Sequence, residues 1–166
     1  MAAVRINGKW GFISTNGDVI ISHQYDYVLN FKEGLAVVNI GGKDRVTYIQ
    51  GGRYGYISKT GELVIPLKFS IARSFNNGIA AVCSYNRWGF IMNTGEMLIS
   101  PQFNKVWDAQ EGIMMVENNY KYGFITKEGI KIPLVFDDAR HLCNGFAAVK
   151  QNGKWGFIKK PMNYYR

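Results

Sequence analysis

The sequence lacks the features that define several large classes of protein. Its 166 residues include only two cysteines, Cys83 and Cys143, which belong to no metal or redox motif. No apolar run approaches the length that spans a bilayer, and the first residues show no signal-peptide pattern. No Lys/Arg-rich block exists beyond Lys159-Lys160, and no segment resembles a phosphate loop that opens a helix. These absences predict a cytoplasmic protein with free thiols and no cofactor.

The composition indicates a globular domain with an excess of positive charge. Hydrophobic residues make up 47% of the chain and aromatic residues 14%, which is enough to form a substantial core in a single domain of this length. The formal net charge is +8, from 20 Lys and Arg against 12 Asp and Glu. Such a charge favours acidic partners but does not by itself indicate nucleic acid.

One short pattern occurs five times and is the most informative feature of the chain. It reads basic–aromatic–Gly–aromatic–Ile, and its successive glycines are 44, 34, 34 and 33 residues apart. Repetition at this interval predicts an array of stacked units, and such arrays are usually binding scaffolds. The five copies are Lys9-Trp10-Gly11-Phe12-Ile13, Arg53-Tyr54-Gly55-Tyr56-Ile57, Arg87-Trp88-Gly89-Phe90-Ile91, Lys121-Tyr122-Gly123-Phe124-Ile125 and Lys154-Trp155-Gly156-Phe157-Ile158.

Each copy lies within the same series of short segments. A small-apolar run such as Ala80-Ala81-Val82 precedes a tight turn, and turns such as Asn152-Gly153 are typical of hairpins. The motif strand follows, and a Gly-containing turn leads to a third apolar strand such as Leu63-Val64-Ile65. Pro66 marks that strand as an edge strand. The sequence therefore predicts an all-β fold of tandem three-stranded antiparallel units.

The repeat divides the chain into four units and a final hairpin. We predict one domain over residues 1–160, and residues 161–166 form a tail that is suited to capping the last hairpin. Both termini carry the same hairpin, so neither supplies the strand that would close a propeller. We therefore predict an open twisted array, with a propeller-like ring as the alternative. The units lie at about residues 1–34, 35–78, 79–112, 113–145 and 146–160.

The alternation of side chains explains the motif strand. Trp10 and Phe12 lie on one face and Gly11 and Ile13 on the other, so we expect burial on both sides. A glycine in mid-strand is costly unless something covers it, and we expect an aromatic ring from a neighbouring unit to do so. Structural roles are thus predicted for Trp10, Gly11, Phe12, Tyr54, Gly55, Trp88, Gly89, Phe90, Tyr122, Gly123, Trp155 and Gly156.

The series of segments resembles the WG (KWG) β-repeat family. The resemblance rests on Lys-Trp-Gly-Phe-Ile, a Gly turn, Val-Ile-Ile, an aromatic followed by Asp or Asn, and Phe-x-x-Gly-Leu-Ala-Val-Val, and it extends over residues 2–160. Tyr54 and Tyr122 depart from the pattern because they replace Trp. The resemblance implies a bacterial protein with an all-β repeat fold and no shared catalytic residues.

Two sets of residues are candidates for binding a partner. The cation before each motif aromatic recurs once per unit and predicts a basic ridge: Lys9, Arg53, Arg87, Lys121 and Lys154. The second hairpin carries ten extra residues between Val38 and Tyr54, which predict an arm bearing Lys43, Arg45 and Tyr48. Solvated strand ends and a tolerated insertion are the simpler interpretations. Aromatics outside the repeat register are predicted at the surface: Tyr27, Tyr48, Tyr85, Tyr120, Tyr164 and Tyr165.

These observations favour a binding protein over an enzyme. His141 and Cys143 lie close in sequence but lack the further groups that a catalytic pair or a zinc site requires, so we predict no catalytic residue and no metal. We expect a scaffold that recognises a protein with an acidic face, such as a bacterial adaptor, inhibitor or immunity-type protein. The alternative is a module for nucleic acid or an anionic glycan, whose binding would fall steeply with salt.

Overall fold

The chain folds into five antiparallel sheets that follow one another along the sequence. A computed structural model describes residues 1–44, 49–127, 129 and 131–160, and every regular element within them is a strand, which confirms the all-β prediction. The first two sheets contain β1 (Ala2–Ile6), β2 (Lys9–Ile13) and β3 (Val19–Tyr25), then β4 (Tyr27–Val28), β5 (Leu35–Asp44), β6 (Ile49–Ser58) and β7 (Leu63–Phe69). The other three contain β8 (Ile71–Ala72), β9 (Ile79–Ser84), β10 (Arg87–Met92) and β11 (Met97–Phe103), then β12 (Lys105–Val106), β13 (Ile113–Asn118), β14 (Lys121–Thr126) and β15 (Lys131–Phe136), then β16 (Asp138–Ala139), β17 (Phe146–Gln151) and β18 (Lys154–Lys159).

The last four sheets begin with a strand of only two residues. In the fourth sheet, β12 pairs with β13 through Lys105 and Val106, and the order β12-β13-β14-β15 is a simple meander. This short strand precedes the hairpin in sequence, so each predicted unit contributes its last residues to the sheet of the next. The sequence predicted three strands per unit, since two residues are too few to show a periodicity of two.

A hydrophobic core lies between each sheet and the next. Between the third and fourth sheets, Phe90 and Phe103 pack with Met114 and Val116, and all four side chains are buried. Ile91 follows Phe90 on β10 but belongs to the core on the other side of the sheet. The motif strand is thus buried on both faces, as its alternating side chains predicted.

The motif glycine is covered by the backbone of the third strand. Trp10 pairs with Tyr25 and Phe12 with Ile21, so a step of two residues on β2 faces a step of four on β3. This bulge brings main chain so close that a Cβ on Gly11 would lie 2.5 Å from the Ile21 carbonyl oxygen. The predicted aromatic cover is therefore wrong, because the third strand itself occupies that space. Similar crowding occurs at Gly55, Gly89 and Gly123.

Among the described residues, the fifth sheet lacks this cover. There β18 lies at the edge of the sheet, and a Cβ on Gly156 would meet none of the described atoms within 4 Å. Phe157 is 79% exposed, whereas its equivalents Phe12, Phe90 and Phe124 are each 1% exposed. Within the described residues none of the five sheets closes on itself, in agreement with the prediction of an open array. The tail that was predicted to cap it, residues 161–166, lies outside the described residues.

Gly89→Val and Gly156→Val form a matched pair that tests the role of the bulge. Gly89→Val forces a side chain into the Ile99 carbonyl, and we expect a loss of about 3 kcal/mol in the free energy of unfolding. Gly156→Val enters open space, and we expect a change within about 0.5 kcal/mol. Urea unfolding followed by circular dichroism measures both values, and equal losses would contradict the proposed role of the bulge.

Candidate functional site

The turns of the hairpins form a surface at one end of the sheets. Arg87 Nη1 donates to Asn118 Oδ1 at 3.4 Å and so joins the third and fourth hairpins beside their turns. Each two-residue turn has a left-handed backbone, with positive φ at both positions, as tight hairpins require. We define the turn surface as Asn7-Gly8, Tyr85-Asn86, Asn119-Tyr120, Asn152-Gly153 and the arm formed by the ends of β5 and β6.

Two tyrosines stand out on the turn surface. Tyr85 has a φ of 51° and is 98% exposed, and Tyr120 has a φ of 61° and is 85% exposed. A residue with a Cβ pays about 1–2 kcal/mol in this conformation, and neither side chain offsets that cost by burial. The sequence correctly predicted both at the surface but not their backbone conformation. Tyr27, also predicted at the surface, is instead half-buried against Tyr54.

The turn that carries Tyr120 is held from two directions. The buried Glu117 carboxylate accepts a hydrogen bond from the Tyr120 backbone N–H at 2.8 Å, and it lies 3.6 Å from Lys105 Nζ. Asn104 Oδ1, from the loop before the sheet, accepts from the Asn119 N–H at 3.0 Å. These contacts fix the main chain on which the exposed ring is mounted.

Acidic side chains neutralise part of the predicted basic ridge. Lys9 Nζ lies 2.5 Å from Asp26 Oδ1, and Lys121 Nζ lies 2.6 Å from Asp137 Oδ1. Arg53 and Lys154 are exposed and form no ion pair within the described part of the chain. Exposed pairs add only about 0–1 kcal/mol to stability, but they reduce the charge that a partner meets. A continuous basic ridge therefore stays a prediction.

The same two carboxylates also face the backbone of the following hairpin. Asp26 Oδ2 accepts from the Gly41 backbone N–H at 2.7 Å, in the hairpin of the following sheet. The Asp137 carboxylate faces the backbone N–H groups of Asn152 and Gly153 in the last hairpin. Its hydrogen bond with Lys121 holds the pKa of the Asp137 carboxyl below its usual value, and the two backbone N–H groups act in the same direction.

The arm of the second hairpin projects beside an open cleft. Lys43 is exposed on β5, whereas the predicted arm residues Arg45 and Tyr48 lie outside the described residues. At the base of the arm, buried Asn39 donates from Nδ2 to the Gly51 carbonyl at 3.3 Å. A cleft of about 740 Å³ separates the arm from the start of the third sheet, and its lining includes Ile40, Ile49, Arg53, Ser70 and Ile71.

The first aromatic of the motif stacks on a residue that sequence analysis did not single out. The Arg73 guanidinium lies 4.7 Å from the Trp88 ring centroid, and that of Arg140 lies 5.0 Å from the Trp155 centroid. Trp107 occupies the same position in the fourth sheet and stacks on Tyr122 at 5.7 Å. All three stacking residues directly follow a two-residue strand. A long or charged side chain at this position of the repeat was the signal from which the sequence could have identified them.

The described residues offer few groups for chemistry. Across residues 1–44, 49–127, 129 and 131–160, no three His, Cys, Asp or Glu side chains are placed to hold a metal ion. Cys83 is buried, Cys143 is exposed, and both are free thiols. Within the same ranges, there is no helix with the length and apolarity needed to cross a membrane.

Comparison with known proteins identifies the repeat. A family model for "WG containing repeat" matches residues 10–43, 54–88, 88–122 and 123–155, which together make up most of the chain. Among solved structures, the chain is similar to one titled "Crystal structure of HIRA(644-1017)", with a TM-score of 0.44 and 9% identity. That alignment covers 81% of this chain but 53% of the other, so the chain spans about half its length. No curated protein matches the sequence.

Asp137→Asn tests the tie between the last two hairpins through its pH dependence. Because the carboxyl has a lowered pKa in the folded state, its stabilising effect is present above its usual pKa of 3.8 and is lost as the pH falls through the folded value. The variant should therefore be less stable than wild type at pH 7, and the gap should close in acid. Thermal unfolding at several pH values measures the gap, and a pH-independent difference would contradict this role.

Proposed function

The chain belongs to the family of WG-containing repeat proteins, and on that premise we propose that it is a non-enzymatic scaffold that binds another protein through the turn surface. The observation that carries the proposal is the pair Tyr85 and Tyr120, which are almost fully exposed on left-handed backbone. A bacterial cytoplasmic adaptor, inhibitor or immunity-type protein fits this description. The free thiols of Cys83 and Cys143 support a reducing compartment.

The two tyrosines have the properties of binding hot spots. Tyrosine is enriched among the residues that dominate protein interfaces, since its ring offers a large contact area and its hydroxyl a hydrogen bond. Glu117 and Asn104 already fix the backbone at Asn119 and Tyr120, so little backbone entropy is lost when a partner docks. We therefore interpret the strained backbone of this rigid turn as pre-organisation for binding.

The charges around the tyrosines favour an acidic face on the partner. Arg87 follows the Tyr85-Asn86 turn directly, Arg53 and Lys154 are exposed, and the whole chain carries a net charge of +8. We further propose that Arg53 and the arm residues Lys43, Arg45 and Tyr48 extend this surface. The ion pairs at Lys9 and Lys121 lower the charge available to a polyanion. A folded protein is therefore favoured over nucleic acid or an anionic glycan.

Removal of the two rings should abolish recognition but preserve the fold. Tyr120→Gly gives the turn the Asn-Gly sequence of the first hairpin, and with Tyr85→Ala it should leave stability unchanged or raise it by about 1 kcal/mol. Immobilised wild type and variant are used in pull-downs from the native host, with mass spectrometry of the retained proteins. We expect the variant to lose a partner that wild type retains, and the affinity for the purified partner to fall at least tenfold.

Two controls distinguish the proposal from its alternative. Lys59 lies in the turn at the opposite end of the second sheet, so the Lys59→Ala variant should retain the partner. Heparin and a single-stranded DNA oligonucleotide serve as polyanion probes. Their affinity should fall log-linearly with salt, and the double substitution Arg87→Gln with Lys121→Gln should weaken it most. If the tyrosine variant retains every partner, or if polyanions bind at physiological salt as tightly as the protein partner, the proposal is wrong.

A further inference from the structure

We propose that the turn at Tyr85-Asn86 and the Arg53 side chain together bind the carboxylate of an acidic residue on the partner protein. The inference deepens the proposed function, on which it rests for the source of the carboxylate. It follows from a comparison of the repeats. Equivalent turns of the array receive oxygen atoms from neighbouring side chains, whereas this turn receives none from the residues that the structure describes.

One loop position of the repeat accepts a hydrogen bond from the next hairpin. Asp26 Oδ2 accepts from the Gly41 backbone N–H at 2.7 Å, and Asn104 Oδ1 accepts from the Asn119 N–H at 3.0 Å. The Asp137 carboxylate likewise faces the N–H groups of the last turn. We define the acceptor position as the residue that directly follows each third strand, which is Asp26, Ser70, Asn104 or Asp137.

Ser70 does not supply this contact to the third hairpin. Its side chain ends one bond earlier than that of Asp or Asn, and its hydroxyl donates to the Cys83 carbonyl at 2.9 Å. Tyr85 occupies the donor position in this hairpin, as Asn119 does in the next. The Tyr85 N–H therefore has no side-chain acceptor within the described part of the chain.

The second N–H of the same turn also differs from its equivalent. In the fourth hairpin, the Glu117 carboxylate accepts from the Tyr120 N–H at 2.8 Å. The residue at the position of Glu117 in the third hairpin is Cys83, which is buried and has no side-chain oxygen. Successive N–H groups of a turn form a concave site for an anion. The turn at Tyr85-Asn86 thus offers two donors that the described residues do not use.

Arg53 lacks the carboxylate that its equivalents contact. Lys9 Nζ lies 2.5 Å from Asp26 Oδ1, so that carboxylate bridges the motif cation of its own unit and the next hairpin. The fourth unit repeats the arrangement, with its Lys–Asp pair at 2.6 Å. Arg53 is exposed and forms no ion pair with any described residue. Arg53 and Ser70 line the same cleft, so the guanidinium lies beside the acceptor position.

The surroundings of Arg53 favour an acidic side chain with an apolar neighbour. A cation and backbone N–H groups give a carboxylate charge-assisted hydrogen bonds, and Arg87 adds a second positive charge beside the turn. Ile40 and Ile71 also line the cleft, and they are 41% and 44% exposed. An apolar residue next to the acid would bury these two side chains, which an inorganic anion or a nucleic-acid phosphate would not do. The favoured ligand is therefore Asp or Glu within an apolar segment of a protein.

A short acidic peptide provides the probe. The full chain is labelled for NMR and titrated with acetyl-Gly-Leu-Asp-Leu-Gly-amide, and its backbone amide resonances are followed. We expect saturable downfield shifts at Tyr85 and Asn86, because a carboxylate acceptor deshields the amide proton. The amides of Asn119 and Tyr120 are the internal control and should shift little, since they already donate to Asn104 and Glu117. A matched peptide with Asn in place of Asp should bind about tenfold more weakly.

Ser70→Asp supplies the missing carboxylate from within the chain. By analogy with Asp26 it should contact Arg53 and the third turn, so we expect a higher urea midpoint than that of wild type and about a tenfold loss of peptide affinity. Ser70→Ala is the matched control, since it removes the hydroxyl without adding an acceptor, and it should bind the peptide as wild type does. Arg53→Gln should fold as wild type and weaken peptide binding. No saturable shift in wild type, or equal peptide binding by Ser70→Asp and wild type, would overturn the proposal.

Two further measurements separate this inference from the proposed function. Sodium sulfate replaces the peptide in a parallel titration, and equal shifts at equal concentration would make this a general anion site and overturn the proposed acidic residue. Any partner that the variant with Tyr85→Ala and Tyr120→Gly loses in pull-downs should also be lost by Ser70→Asp. Its retention by Ser70→Asp would overturn the inference and leave the proposed function standing. If the peptide binds as expected but the tyrosine variant retains every partner, the proposed function is wrong and the carboxylate site stands.

Discussion

The approach of the bulged third strand to the motif glycine is the contact on which the rest of the structure depends. Because Gly11 has no Cβ, the Ile21 main chain can cross over it, and the bulge then places Ile21 and Tyr25 against Phe12 and Trp10. That pairing produces the apolar face that the next sheet covers. One missing side chain thus determines both the width of each of the first four sheets and the surface through which they stack.

Because the sheets stack, the stability of the array depends on the contacts between each sheet and its neighbours. Each core combines aromatics from one hairpin with small apolar residues from the next. An internal sheet therefore contributes to a core on each of its two faces. Polar contacts follow the same rule: Glu33 accepts hydrogen bonds from the backbone N–H groups of Asn77 and Gly78, at 2.6 and 2.8 Å, one unit further along. Glu33 itself has a φ of 52°, so the residue that makes this contact has a backbone conformation that glutamate rarely adopts.

The sequence was sufficient to predict what depends on local periodicity. The repeat, the hairpins and the two-sided burial of strands such as β10 follow from a period of two and from turn chemistry, and the family assignment follows from the motif. The cover of Gly11 could not be predicted in this way, because a bulge is a relation between two strands. The stacking of Arg73 on Trp88 was missed for the same reason. Tyr85 was predicted at the surface from its register alone, but its strained backbone is visible only in the folded turn.

Core residues and turn residues of each unit make different contacts, and this difference explains which of them are free to bind a partner. Side chains such as Phe90 and Ile91 contact neighbours on both faces, so a change made for a partner would disturb two cores at once. The turn residues Tyr85 and Tyr120 lie outside these cores, and the Glu117 carboxylate holds the backbone on which the Tyr120 ring is mounted. The turns are therefore the part of each unit in which a side chain can change without loss of a core on either face of the sheet.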